Sequence, residues 1–347
     1  MIARALVARL ARRDLLATIG AFALGLALLA LFLAVAGFDV GVALTALWRG
    51  AFGSWYAISS ATLVRATPLI VLGLAFTLAS RGGTLNIGME GQFMLGATAA
   101  TWAGLHASAL PPVIAIPFVL SCGAIAGAAW MVLPVVFRLR FGVTEVISTL
   151  LLNFVADAVV SYAVNGPLQE PTHIYPQSAT IAASAQLPKL VEGARMHLGL
   201  PIALVLATFL GVLLWKSRWG FKLRAVGAGA TAARVSGGIA TSSVIASALL
   251  WSGAIAGLGG AIEVSGVSYA LYQNLSPGYG FTAIAVALLG RLQPLGVVVA
   301  GLLFGALEAG AGAMQRDAGI PAVAVQVVEA VVILALVVLT RRGAVER

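Results

Sequence analysis

The 347-residue chain is 61% hydrophobic and 10% charged, with a mean hydropathy of +1.02 and a formal net charge of +9. Soluble domains carry about 25% charged residues, so this composition excludes a soluble globular protein and leaves an all-α polytopic membrane protein. Its apolar runs are continuous, which excludes a β-barrel, and its basic residues sit at the ends of those runs, which favours the lipid bilayer over nucleic acid as partner.

In chain order, Arg4, Arg9, Arg12 and Arg13 precede an apolar run over 15–37. That run is too long for a signal-peptide core and has no Ala-x-Ala site, so it reads as a first span kept in the protein. A second span is expected over 57–80. Next comes Thr84-Leu85-Asn86-Ile87-Gly88-Met89-Glu90-Gly91-Gln92-Phe93-Met94-Leu95-Gly96. Asn, Glu and Gln at the start of an apolar span are costly, and a lipid-facing helix would not carry them. The stretch reads as a solute path or a helix junction beside one. Further spans follow over 87–107, 111–136 and 144–163. Cys122 is the single cysteine, so no intrachain disulfide forms.

Residues 164–197 carry Pro167, Pro171, Pro176 and Pro188 and read as an extracytoplasmic loop. A span over 198–215 leads to a loop over 216–240. A seventh span covers 242–263. The eighth, over 266–290, is interrupted by Pro277, Gly278 and Gly280, leaving about a dozen continuous residues, which fits a broken or re-entrant element. Spans over 294–312 and 320–340 complete about ten transmembrane segments in a single membrane domain, 1–347. Gly-Ala-Ile-Ala-Gly occurs at 123–127 and again at 253–257, in spans of opposite direction. An inverted repeat and coincidence both account for this, and the Gly-x-x-x-Gly spacing favours close helix packing.

Of the 21 Lys and Arg residues, Arg49, Lys189, Arg195 and Arg316 fall outside and Arg65 within span two; all others fall inside. This bias puts both termini in the cytoplasm. No phosphate-binding Gly-x-x-x-x-Gly-Lys-Ser/Thr loop is present, so no ATP-hydrolysing site is expected in the chain. His106, His173 and His197 are scattered, giving no metal-ligand spacing with Cys122, and no nucleophile–base pair is visible. Glu90, Glu145, Asp157, Glu263, Glu308 and Glu329 lie in or at the edges of spans; a proton relay is one reading, and structural pairing or pore lining is the other.

In the cytoplasmic loop, glycines bound a short helix expected over Thr231–Val235. Docking on another subunit and a solvated, headgroup-facing loop fit this segment equally. Here the chain resembles the permease subunits of ATP-binding-cassette (ABC) importers for branched-chain amino acids, simple sugars and nucleosides, the nucleoside type above all. The resemblance rests on Thr84–Gly96, Thr144–Asn153 with Val164–Leu168, Leu223–Gly238, and Gly278–Arg291 followed by Pro294-Leu295-Gly296. Gly229-Ala230 replaces a common Asn-Pro, and Thr282 a common Asp.

The resemblance implies a bacterial inner-membrane complex: a cytoplasmic ATPase carrying ATP and Mg, a second homologous permease and an extracytoplasmic solute-binding protein. This chain itself would hold no cofactor and catalyse nothing. Residues 216–240 would be the loop that couples to the ATPase, with Gly227, Ala232, Ala233, Arg234 and Gly237 on the motif. Nucleosides would be the cargo, with a pentose or other simple sugar as the alternative within the class and proton-coupled carriage as the alternative outside it. Asn86, Glu90, Gln92 and Asn153 are the candidates to line or border the path; hydrogen bonding between helices away from it is the competing reading.

Overall fold

A computed structural model describes residues 20, 25–321, 323 and 327. Most of the expected span over 320–340, Glu329, the whole basic N-terminal segment and both termini therefore lie outside the described residues, as does most of the first part of the span over 15–37.

The described chain is helical. Helices α1 (Gly25–Val35) and α2 (Val40–Phe52) precede the long α3 (Trp55–Arg81). Then follow α4 (Met89–Leu105), α5 (Pro112–Phe141), α6 (Glu145–Val164) and α7 (Gly199–Lys216). Two short helices, α8 (Arg218–Ala228) and α9 (Ala230–Val235), lead to α10 (Thr241–Ser268), α11 (Tyr279–Leu289) and α12 (Pro294–Ala318). Among the described residues, six helices are long and apolar enough to cross a membrane: α3, α5, α6, α7, α10 and α12. α4 has 17 residues and α11 has 11.

Two helices were not expected. α2 has 13 residues, too few to span, and it buries Ala43, Ala46 and Ala51 on one face while Trp48 stays exposed. Asp39 caps it by accepting from Val42 N at 3.0 Å. α8 carries Arg218, Lys222 and Arg224, so nothing in its hydropathy marks it; Ser217 starts it, accepting from Gly220 N at 2.9 Å.

Contacts divide the chain into two compact units, one of residues 63–305 and one of 1–62 with 306–347. In the second, the end of α2 lies against the end of α12: a Cβ on Gly50 would sit 2.3 Å from Ala313 Cβ, and one on Gly310 would sit 2.6 Å from Leu47 O.

The larger unit is built around the crossing of α5 and α10. The two Gly-Ala-Ile-Ala-Gly copies meet there. A Cβ on Gly127 would lie 2.2 Å from Gly253 O, and one on Gly257 would lie 2.2 Å from Gly123 O. The pairing is reciprocal, first glycine of one copy with last of the other, as antiparallel helices related by a local twofold axis require. α4 adds a third layer: a Cβ on Gly96 would lie 2.3 Å from Gly257 O, and one on Gly260 would strike Phe93 O. Small residues here let backbone contact backbone, the usual source of helix association where lipid removes the hydrophobic drive.

The 164–197 segment is a folded loop. It pairs at single bridges, Gln169 with Ser178 and Gln177 with Tyr272. Backbone hydrogen bonds tie it to the end of α10 and beyond, from Ser178 N to Leu271 O, Ile181 N to Tyr269 O and Leu187 N to Ser265 O.

Candidate functional site: a polar junction at the start of helix α4

α3 ends at Arg81, and Gly82 and Gly83 turn the chain. Gly83 adopts φ +75°, a left-handed conformation that a side chain would strain. Thr84 closes the turn, donating from both its backbone N–H and its hydroxyl to Ala79 O. The next four residues are irregular, and α4 starts at Met89. A helix start leaves backbone N–H groups without partners, and the polar residues of this stretch meet that demand.

Asn86, with no exposed surface, donates to Gln92 Oε1 at 2.8 Å and Ser252 Oγ at 2.9 Å, and its Oδ1 accepts from Gly88 N and Gln92 Nε2. Ser252 Oγ in turn donates to Ala75 O at 2.7 Å. This chain of bonds joins α3, α4 and α10. Asn153, on α6, accepts from Gly91 N at 2.9 Å and donates to Ile87 O at 3.0 Å. It thereby caps α4 from a neighbouring helix.

Glu90 is buried and accepts from Gly280 N at 2.6 Å. Gly280 is close to it by necessity: a Cβ there would lie 2.4 Å from Glu90 N. One carboxylate thus serves the start of α11 while standing in the first turn of α4, where the dipoles of both helices favour negative charge. Ser276 holds the same turn, accepting from Gly278 N and Tyr279 N, and Gly278 has φ +100°.

The other acids occupy different places. Glu145 accepts from Leu85 N at 3.1 Å and pairs with Arg138. Asp157 is exposed on α6 and Glu308 is half-buried on α12. Glu263 is buried, within the influence of Arg195 and Arg65. The four sequence candidates, Asn86, Glu90, Gln92 and Asn153, are therefore gathered around one helix start, and each bonds to protein groups. Ser252 and Ser276 were missed, because an isolated serine in an apolar run carries no signal in sequence.

The second candidate region is α8–α9. Gly227 falls in the last turn of α8, and Gly229 separates the two helices. Ala232, Arg234 and Gly237 are exposed, whereas Ala233 is buried. α8 is also held by Arg224, one turn before Gly227, which donates to Leu214 O at 3.0 Å and lies 4.3 Å over the Trp215 ring.

A cavity of ≈ 320 Å³ lies elsewhere, lined by apolar side chains that include Leu78, Leu210, Leu213, Trp219, Trp251 and Leu258. Its chemistry suits hydrocarbon and offers a polar solute little.

Residues 58–340 match the family described as the permease component of branched-chain amino acid transport systems. The chain is 39% identical over 324 residues to the guanosine ABC transporter permease protein NupP of Bacillus subtilis, covering 92% of each chain. It is 40% identical over 285 residues to the glucose ABC transporter permease protein TsgB13 of Haloferax volcanii, covering 79% of this chain and 74% of that one. It is 33% identical over 297 residues to the nucleoside ABC transporter permease protein NupB of Lactococcus lactis, covering 83% and 81%. The chain belongs to this family of ABC-importer permeases, among whose members it is similar to nucleoside and sugar permeases.

Proposed function

We propose that this chain is the membrane-spanning permease of an ATP-driven importer that takes up nucleosides by alternating access. One observation carries the reading of the cargo: the similarity to the guanosine permease extends over 92% of both chains. The similarity to the glucose permease supports a second reading, a simple-sugar importer.

The complex comprises this chain, a second homologous permease, a cytoplasmic ATPase that holds ATP and Mg, and an extracytoplasmic binding protein, all at a bacterial inner membrane with both chain termini inside. Closure of the ATPase moves the 216–240 loop, with Gly227, Ala232, Ala233, Arg234 and Gly237 in the docking segment. A nucleoside is polar and nearly uncharged. Its path therefore needs hydrogen-bonding groups and little net charge. Asn86, Glu90, Gln92 and Asn153 border that path and hold its helices in register. Their bonds to one another and to Ser252 and Gly280 support bracing over direct contact with solute.

Uptake by the reconstituted complex of labelled guanosine, ribose, glucose and leucine tests the cargo. ATP-dependent accumulation of guanosine that unlabelled nucleosides abolish is the expected result. Accumulation of glucose or ribose with nucleosides inert would replace the reading with the sugar one. Uptake that survives without ATPase and follows a pH gradient would make the chain a proton-coupled carrier.

A further inference from the structure

The last turn of α8 touches the Gly82–Gly83 turn with no side chain between them. A Cβ on Gly227 would lie 2.2 Å from Arg81 O and 3.1 Å from Gly83 N, and one on Gly83 would lie 3.1 Å from Gly227 Cα. One helical turn earlier, Leu223 is fully buried, and its Cδ1 lies 2.7 Å from where a Gly82 Cβ would be.

The struck segment is fastened to several helices. Arg81 donates from Nε to Leu292 O at 2.8 Å and from a second nitrogen to Arg291 O at 3.4 Å, gripping the turn after α11. Leu85 N is held by Glu145, which Arg138 holds in turn. Asn86 binds Ser252 of α10 and Gln92 of α4. Residues 81–88 therefore contact α4, α6, α10 and the end of α11 through hydrogen bonds. Backbone pressed on backbone has no rotamer to yield, so a displacement of α8 is passed on rather than absorbed.

We propose that Gly227 is a positioning residue for energy coupling: its missing side chain lets α8 bear directly on Arg81–Gly83, and the two move as one body that carries the motion of the coupling loop to the helices around the polar junction. The proposal rests on the reading of 216–240 as the coupling loop, and adds the contact through which the motion passes.

Two arms test it in proteoliposomes holding the complete complex. In the first, uptake per ATP hydrolysed is compared for the unaltered chain, Gly227→Ala, and Gly211→Ala, a site with no atom within 4 Å of an added Cβ. Gly227→Ala is expected to keep ATP hydrolysis while uptake per ATP falls by about tenfold, within the usual range of coupling between sites; Gly211→Ala keeps both. In the second, Gly82→Cys with Leu223→Cys in a Cys122→Ala background is joined by oxidation to a disulfide. Joining should change uptake by less than about twofold relative to the same variant uncoupled, since the pair moves together. Unaltered uptake per ATP in Gly227→Ala, or uptake abolished by the cross-link and restored on reduction, overturns the proposal. Should Gly227→Ala fail to assemble, the cross-link decides. If the complex hydrolyses ATP and transports, yet Arg234→Glu leaves assembly and uptake normal, the coupling-loop reading itself falls, a result distinct from failure of the Gly227 contact alone.

Discussion

Asn153 satisfies two backbone groups at the start of another helix with one amide, Gly91 N in its first turn and Ile87 O just before it. Leu has nearly the same shape but no polar atoms. Asn153→Leu leaves both backbone groups buried and unpaired, at about 1–3 kcal/mol each. The melting temperature of the purified chain in detergent should drop clearly, whereas Asn165→Leu, at an exposed helix end, should leave it nearly unchanged. An unchanged melt for Asn153→Leu would mean that water reaches α4's start.

His197 gives a pH-dependent counterpart. It lies in the 164–197 loop, 1% exposed, with Gly199 N donating to its Nδ1 at 3.1 Å. Its ring presses on Gly266, where a Cβ would lie 2.4 Å from Nδ1. Nε2 therefore bears the proton and has no hydrogen-bond partner among the described residues. Burial, with Arg195 nearby, lowers its pKa from 6.5 to about 4. The unfolded chain thus binds the proton first as pH falls. The stabilisation is complete above pH 6.5 and is lost as pH drops toward 4, a change on the order of 3 kcal/mol. Melting curves between pH 7.5 and 4.5 should show this loss, and His197→Gln should flatten that part of the profile. A wild-type melt independent of pH through this window would contradict the buried neutral imidazole.

At the scale of elements, the α5–α10 crossing is where the fold has least tolerance. Gly127→Ala drives a methyl to 2.2 Å from the Gly253 carbonyl, which is backbone and has no other rotamer. The helices must part, at about 1–3 kcal/mol or more. Gly211→Ala, in open space on α7, should instead be neutral or stabilising by about 0.5–1 kcal/mol. Thermal unfolding of the two variants side by side reads the difference. Equal melts would mean that the crossing is looser than described.

The same crossing marks what the sequence could reveal. The pentapeptide repeat and its Gly-x-x-x-Gly spacing were visible, but that the copies pack on each other is a fact of folding, since residues 128–252 separate them. Long helices such as α5 and α7 were legible because 18 or more apolar residues leave few alternatives. α2 and α8 were not, being short and amphipathic or polar. The break between α10 and α11 was legible from Pro277, Gly278 and Gly280. At the polar junction, costly residues in an apolar run announced themselves, but their partners did not: Ser252 stands 166 positions from Asn86, and Gly280 stands 190 from Glu90.

For the whole molecule, the larger unit combines a rigid glycine-packed crossing, a polar junction beside it and the α8–α9 segment bearing on that junction. Such an arrangement suits a conduit moved by a partner. α9 offers exposed Arg234 on a helix of six residues with little of its own chain to bury against. Arg234→Glu should weaken assembly with the ATPase and reduce uptake about tenfold or more, as reversing an interface charge does, while membrane insertion stays normal. Co-purification of the tagged ATPase with the variant checks this, and undiminished recovery would place the docking surface elsewhere.

The central claim is that this chain provides a gated path and a separate subunit supplies the work. Accumulation of labelled guanosine against a gradient, measured in vesicles containing the chain alone and in vesicles containing the full complex, tests it most directly. Concentration should occur only with the ATPase and hydrolysable ATP present. Accumulation by the chain alone would contradict the account.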